Sequence, residues 1–443
     1  MNLANVCSGY ERFDFNGNHM GPSFCQAVPD IISEDLSFFK DHFFSSHIFE
    51  QENNDAVEEK DTVRFANHEK VTRKWGINPA IRTSTPVYMG AIPDEVVGHS
   101  TKTPVVNVYK SNKAEASTYK IDNDRISICT LEEINVNYSL AKPDSMSDEC
   151  VNRAFELANQ IYGFFTKIFN SNPEQHGWNI PIELFINVRM WTWDKNSNKW
   201  KLGPLNNTLW DGHRVVFGGG CGQLHEERWT KNVEFTCHEL THRFIQYVYP
   251  GGFSINDYKN EPGALNEHIA DVFGIMFSHY QKNKFSPGAD DWLLGENLIK
   301  GEFKKFLAEK KYGHFTAFRS MNNPGSAYKF EVNGVNLRCD RQKSHMNDFY
   351  NGTDDAGGVH YNSGILNKAF YLFTEKMAIA SWGTPGKLWY NTITSGRIDK
   401  TTNFQNFVNI NVDIARKSLP DEYVKKLIKS WKAVGLKPVA VSS

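Results

Sequence analysis

The chain has 443 residues, 40% hydrophobic and 23% charged, enough for two or three globular domains, which excludes a disordered or fibrous class. Its formal net charge of -2 provides no bulk attraction toward nucleic acid or a membrane surface, so the partner has to be read from a site. No apolar stretch reaches the length of a membrane span.

The first residues, "MNLANVCSGYERFDFNGNHMG", lack the basic start and apolar run of a secretory signal, so we expect synthesis as a soluble cytoplasmic protein. Export by a route that reads no such signal, or delivery into a host cell, stays open. Seven scattered cysteines, Cys7, Cys25, Cys129, Cys150, Cys221, Cys237 and Cys339, read as free thiols in a reducing compartment.

Along the chain, "EQENNDAVEEKDT" at about 50 to 62 is almost wholly polar and acidic and reads as an exposed linker. "PVVNVY" at 104 to 109 is β-branched and opens the main folded unit. After Ser147 the apolar residues Val151, Phe155, Ala158, Ile161, Tyr162, Phe165 and Ile168 recur at helical spacing. "IELFINVRM" then alternates as a strand, and "HRVVFGGG" reads as a second strand ending in a glycine turn. Helical periods follow at 233 to 248, 264 to 281, 362 to 379, 403 to 418 and 420 to 434. The expected fold class is α+β in two lobes: residues 1-104 an N-terminal region, 105-249 a strand-rich lobe, and 250-443 a helical lobe.

The chemistry starts in "TCHELTHRF". Residues four apart on a helix sit about 40° from each other, so His238 and His242 can reach one ion from one face. Glu239 follows the first histidine, near enough to handle a proton on water at a metal's open side. Glu267 in "EPGALNEHIADVFG" is the strongest third ligand, at the opening of the next helix, leaving a fourth position for water. Asp271 one turn on, and Asn266, could each accept the second ring N–H of a ligand histidine. Taken alone, the short motif fits a metal site and a helix with satisfied core histidines about equally. A nearby string, "LHEERW", carries His225 and Glu226 but has Trp229 where a second histidine would stand. In "GTDDAGGVHYNSGILNKAFYL", His360 follows a glycine pair, with Asp355 five residues earlier; that pattern suits a structural turn as well as a catalytic histidine.

Together "HELTH", "YKNEPGALNEHIADVFG", "FRSMNNP" and "DAGGVHYNSGILNKAFY" resemble the thermolysin-like neutral zinc metallopeptidases, in the same order and with similar separations, over roughly residues 105 to 437. The resemblance implies a two-lobed zinc endopeptidase with the zinc helix between the lobes. It implies Zn²⁺ on His238, His242 and Glu267, with Glu239 as general base. It implies Tyr258 and His360 as oxyanion donors, with Asp355 orienting His360. Asn207 and Arg319 match positions that bind the substrate backbone. Phe235, Leu294 and Phe318 match the wall of the apolar pocket with which the family cuts before large apolar side chains, and the two phenylalanines imply a shallower or reshaped pocket. Of the acidic cluster with which secreted relatives hold Ca²⁺, Glu234, Asp291 and Glu296 fit, while Ser278 and Leu293 stand where carboxylates are expected, which weakens or abolishes that site. "FCQAVPDIISEDLSFF" faintly resembles the pro-segment of the protealysin-like branch, so residues 1 to about 100 read either as a removable cover of the cleft, with Cys25 a candidate inhibitory ligand, or as a permanent accessory domain. The implied partner is a protein or peptide substrate. The rival classes are a catalytically silent zinc-containing peptide-binding relative, against which the full set of Glu239, Tyr258 and His360 counts, and an aminopeptidase, for which an acidic grip on a free amine is lacking.

Overall fold

Residue 182 begins the strand around which the N-terminal half is organised. The computed structural model describes residues 25–26, 106–111, 117–122, 125–128, 138–141, 149–194, 199–204, 207–218, 229–332 and 334–439. The acidic stretch at 50 to 62, the first hundred residues apart from 25–26, Cys7, Cys129, Cys221, and His225 with Glu226 lie outside the described residues.

In chain order the first half contains β1 (Cys25–Gln26), β2 (Val106–Ser111), β3 (Ser117–Asp122), β4 (Arg125–Ile128), β5 (Tyr138–Ala141), helix α1 (Glu149–Ile168), β6 (Ile182–Asp194), β7 (Lys199–Pro204), β8 (Thr208–Trp210) and β9 (Val215–Gly218). These strands form one sheet with the path β1-β8-β9-β6-β2-β5. The 13-residue β6 is long enough to serve two neighbourhoods: its first half runs parallel to β2 and β9, its second pairs with β3 and β7. One face of β6 buries Ile182, Leu184 and Ile186 together with the aromatic face of α1, where Phe165 stacks on Phe273 and tilts onto Phe244.

The second half opens with α2 (Val233–Val248) and α3 (Asn260–Gln281). It continues through β10 (Leu293–Leu294), α4 (Gly301–Lys310), β11 (Gly313–Phe315), β12 (Arg319–Ser320), β13 (Tyr328–Val332) and β14 (Val335–Cys339). It closes with α5 (Asp354–Met377), α6 (Thr384–Ile393), α7 (Phe404–Ser418) and α8 (Asp421–Ala433). The strand-rich half and the mainly helical half give the α+β architecture expected from the sequence. Helices α4 and α6 and the small β11-β13-β14 sheet escaped that reading, because each element spans ten residues or fewer, too short for its pattern to stand out from the flanking loops.

Two helix starts also differ from expectation. Helix α3 begins at Asn260 rather than 264, so Glu267 lies two turns inside it instead of opening it. Its Pro262 reads as a breaker, yet a proline in the first turn gives up only an N–H that has no helical partner. Helix α5 begins at Asp354 rather than 362, because Asp355, Ala356, Gly357 and Gly358 form a left-handed turn, with φ of 55, 52, 86 and 78°, that joins the helix without being a normal part of it.

Helices α2 and α3 bring the two halves of the motif together. Asn232 caps α2, its side chain accepting from Phe235 N at 2.7 Å. The helices touch where a Cβ on Gly274 would stand 2.5 Å from the Glu234 carbonyl oxygen, so only glycine permits this approach. At the other end of α2, the buried Arg243 donates to the carbonyls of Gly177 and Ile180 at 2.7 and 2.8 Å and lies over the Trp178 ring, fixing the helix to the loop before β6.

Candidate active site

Helix α2 is buried all round from Glu234 to Ile245, so each polar side chain in it needs a partner or a task. Thr236 and Thr241 give their hydroxyls to the carbonyls of Asn232 and Cys237, Glu234 accepts from the Ser278 hydroxyl, and Arg243 spends Nη2 on two carbonyls as described. His238, Glu239 and His242 remain, all at most 2% exposed.

His238 Nδ1 stands 2.9 Å from Asp271 Oδ1, and His242 Nδ1 meets Asn266 Oδ1. Both acceptors sit on α3, at the two positions expected from spacing. The His242 ring proton is therefore held on Nδ1, Asp271 stands close enough to His238 Nδ1 to favour the same tautomer there, and the two Nε2 atoms face one another at 2.9 Å. Glu267 adds its carboxylate, Oε2 at 3.3 Å from His238 Nε2 and Oε1 at 3.4 Å from His242 Nε2. Two lone pairs and a buried carboxylate pointed at one place repel one another unless a cation sits among them. All three donor atoms lie within 4.8 Å of one another, and two imidazoles with a carboxylate are a zinc donor set with a position to spare. The residues fit the ion. Among the described residues this is the one group of three or more histidine, cysteine or acidic side chains arranged to hold a metal.

Three further groups face this carboxylate. The Tyr258 hydroxyl, at the end of the turn before α3, donates to Glu267 Oε1 and lies 3.4 Å from His360 Nε2. His360 Nε2 is also 3.4 Å from Glu267 Oε2. Asp355 grips His360 twice, accepting from its backbone N at 2.7 Å and lying 2.6 Å from its Nδ1. The left-handed turn makes this grip possible by folding residue 355 back over residue 360. Burial pushes His360 down, but Asp355 and Glu267 outweigh it and raise it to about 9, favouring the charged, doubly donating ring. Burial works against Glu267 ionising, and the charged His360 beside it leads the interactions that more than reverse this, holding it well below the usual carboxylate range.

Glu239 is wholly buried. Neither carboxylate oxygen makes a well-formed hydrogen bond to the protein; the Trp210 backbone only eases its charge. Burial above all raises it, to about 8, in the protein taken without a cation. A buried carboxylate left without a full set of donors, beside a zinc donor set, is poised to take a proton.

The arrangement, two α2 histidines and an α3 glutamate with a buried carboxylate next in sequence to the first histidine, agrees with the families that the chain matches. Residues 97–246 match the thermolysin metallopeptidase catalytic domain and residues 256–436 the thermolysin metallopeptidase alpha-helical domain. A "Protease PrtS" of Photorhabdus sp. (strain Az29) is 30% identical over 389 residues, 87% of this chain and 88% of that protein. The chain belongs to the thermolysin metallopeptidase family. An "Extracellular metalloprotease" of Pectobacterium carotovorum subsp. carotovorum is 31% identical over 297 residues, covering 66% of this chain and 74% of that protein. The structure of a precursor of protealysin, a metalloproteinase from Serratia proteamaculans, superposes with a TM-score of 0.58 at 26% identity, over 77% of this chain and 90% of that one. As a thermolysin-family metallopeptidase the protein is a zinc endopeptidase, and His238, His242 and Glu267 are its metal triad.

Arg319 on β12 does not reach out to solvent: it is 1% exposed, gives Nη2 to Asp271 Oδ1 at 2.7 Å, and lies over the Phe235 ring. Asn207 sits at the start of β8, its side-chain oxygen accepting from the next residue's N–H at 2.9 Å. Phe235, Leu294 and Phe318 come together with no solvent exposure. Trp229, which spoiled the "LHEERW" string, completes this cluster, its ring 6.2 Å from Phe235 and 5.8 Å from Phe318. Sequence reasoning did not place Trp229 in this cluster because nothing in its neighbours shows which way it faces.

Two of the acidic positions associated with Ca²⁺, Glu234 and Asp291, are engaged by other groups. Buried Glu234 accepts from the Ser278 hydroxyl at 2.6 Å and meets the Lys282 ammonium at 3.4 Å. Asp291 pairs with Lys284 at 3.2 Å and takes the Gly288 N–H at 2.8 Å. Lysine charge and hydroxyl hydrogen bonds here stand where a divalent ion would need six to eight oxygens.

Proposed function

We propose that the protein hydrolyses internal peptide bonds of protein substrates with Glu239 as general base and with Tyr258 and His360 as donors to the developing oxyanion. Bound among His238, His242 and Glu267, Zn²⁺ supplies Lewis acidity that lowers the pKa of water and polarises the scissile carbonyl. Glu239 accepts the proton of the attacking water and returns it to the leaving amine as the C–N bond breaks. Tyr258 and His360, aimed at the same carboxylate from one side, present an O–H and an N–H where negative charge grows. Asp355 holds His360 in its donating orientation. The convergence of Tyr258 and the charged His360 beside the metal triad, with Glu239 buried next to a ligand histidine, carries this reading, because it sets a base and two donors around one place where a carbonyl could react.

The aromatic wall of Phe235, Phe318 and Trp229, with Leu294, supports cleavage before apolar residues, with room for smaller ones than an aliphatic wall would accept. We divide the chain at 104/105 and 249/250, and assign residues 1-104 as a pro-segment. Cys25 and Gln26 pair antiparallel with Trp210 and Leu209 of β8, in the manner of a peptide added to a sheet edge beside the zinc helix, which supports that assignment. The Cys25 side chain lies outside the described residues. That the Pectobacterium relative is an extracellular metalloprotease supports a place of action outside the producing cell.

The test is digestion of casein by purified protein, with and without a zinc chelator, beside Glu239→Gln. Chelator-sensitive internal cuts before apolar residues, lost in a variant that still binds zinc, support the reading. Cuts that persist in Glu239→Gln overturn the role of that residue. Loss of the first hundred residues on incubation of wild type, but not of Glu239→Gln, supports the pro-segment; a stable full-length active enzyme removes it.

A further inference from the structure

Asp271, which faces the ligand His238, is itself held at its other oxygen. Asn367 Nδ2 on α5 donates to Asp271 Oδ2 at 2.9 Å. The carbonyl end of the same amide lies 2.8 Å from His268 Nδ1, and His268 Nε2 accepts from the indole N–H of Trp389 on α6 at 2.8 Å. All four residues are fully buried.

Every proton along this line follows from its far end. An indole N–H can only donate, so His268 Nε2 carries the lone pair and the proton of the neutral ring sits on Nδ1. That N–H requires an acceptor, which makes the facing Asn367 atom its oxygen and turns the amide NH₂ toward Asp271. Reversing the ring would reverse the amide and set its oxygen against a carboxylate oxygen. Arg319 holds the other side, donating to Asp271 Oδ1, the oxygen that faces His238.

We propose that His268 and Asn367 are positioning residues for the zinc site: a one-directional hydrogen-bond line from Trp389 fixes Asp271, and through it the tautomer and aim of His238. The proposal rests on the reading of His238 as a zinc ligand. Neither residue touches the ion or the substrate. Partners this far out tune a metal's affinity because the ligand's orientation is only as firm as the group that holds it.

The experiment measures zinc affinity by competition with a chromophoric chelator, together with kcat, KM and the melting temperature of zinc-free and zinc-loaded protein. The set is wild type, Asn367→Leu, His268→Leu, His268→Gln and Trp389→Phe. Asn367→Leu and His268→Leu are expected to weaken zinc binding by about tenfold or more, the usual effect of removing such a partner. kcat falls with it and KM stays within about twofold. Trp389→Phe, which keeps an aromatic ring in place, weakens zinc binding severalfold because the His268 proton is no longer fixed. His268→Gln restores most of the affinity lost in His268→Leu, since its amide can accept from the indole and donate to Asn367.

Zinc affinity and kcat within twofold of wild type in Asn367→Leu and Trp389→Phe, whatever their melting temperatures, would overturn the proposal. Equal losses in His268→Gln and His268→Leu would overturn its directional part. A wild-type protein that bound no zinc would overturn the site reading and the line together. One zinc per wild-type chain with unaffected variants would overturn the line alone.

Discussion

Asp355 Oδ1 lies 2.6 Å from His360 Nδ1 while the other oxygen of the same carboxylate holds the His360 backbone N–H. Asp355→Asn keeps the shape but loses the charge that favours a doubly protonated ring. We expect kcat to fall about 10- to 100-fold, below the loss of about 10²- to 10³-fold typical of deleting an oxyanion donor outright, with KM and zinc content unchanged. Steady-state kinetics on an internally quenched peptide checks this.

Glu234 is compensated by Ser278 and Lys282 rather than by an ion, so stability should ignore calcium. The melting temperature is expected to be the same in excess calcium and in excess EGTA. Lys282 is half exposed, so Lys282→Ala should cost about 1 kcal/mol or less. Ser278→Ala strips the buried carboxylate of its closest donor and should cost about 1–3 kcal/mol. A calcium-induced rise of several degrees in wild type would refute the assignment.

His279, at the end of α3, gives a pH dependence. Its Nε2–H donates to the Asp291 carbonyl at 2.8 Å and its Nδ1 lies 2.9 Å from Ser381 Oγ, a hydroxyl that can donate to the neutral ring. Burial lowers its pKa from 6.5 to about 4. The unfolded chain therefore binds a proton that the folded one refuses, so the contribution is fully present above pH 6.5 and is lost as the pH falls toward 4. That shift corresponds to at most about 3 kcal/mol. Urea unfolding between pH 7 and 4.5 should show a shallower acid loss in His279→Gln than in wild type; identical slopes would remove His279 from the account.

The aromatic wall predicts a change in cleavage sites. Phe318→Val opens space beside Phe235 and Trp229 at a stability cost of about 2–4 kcal/mol. Sequencing of casein fragments should show cuts shifting toward larger residues such as leucine and phenylalanine. An unchanged profile would mean that these rings do not line the substrate pocket.

Much of the site was legible because helical spacing is rigid. Four residues from His238 to His242, and one turn from Glu267 to Asp271, fix which side chains share a face before any tertiary contact is known. Asn266 and Asp271 were placed as partners of the two rings on that basis, and the structure puts them there. Contacts between distant segments had no such ruler. The left-handed turn at Asp355 to Gly358 shows in sequence only as two glycines, and Asp355 and Ala356 adopt conformations their side chains disfavour. Nothing near Lys282 or Trp229 indicates the carboxylate or rings they meet. His268 reads as one more histidine on a helix until Trp389, 121 positions later, supplies the donor that fixes its proton.

The dimensions of the metal triad are inherited from an absent methyl group. Gly274 lies seven positions after Glu267 on the same helix, about 10 Å along its axis. Any side chain there would wedge α3 off the Glu234 carbonyl, and a rigid helix would pass the shift on to the ligand glutamate. Zinc–ligand distances keep within about 0.2 Å of their standard values, so a shifted ligand binds less well. The precision of this site is thus set partly by a backbone contact two turns from the chemistry, at a position where a single added carbon would meet the Glu234 carbonyl.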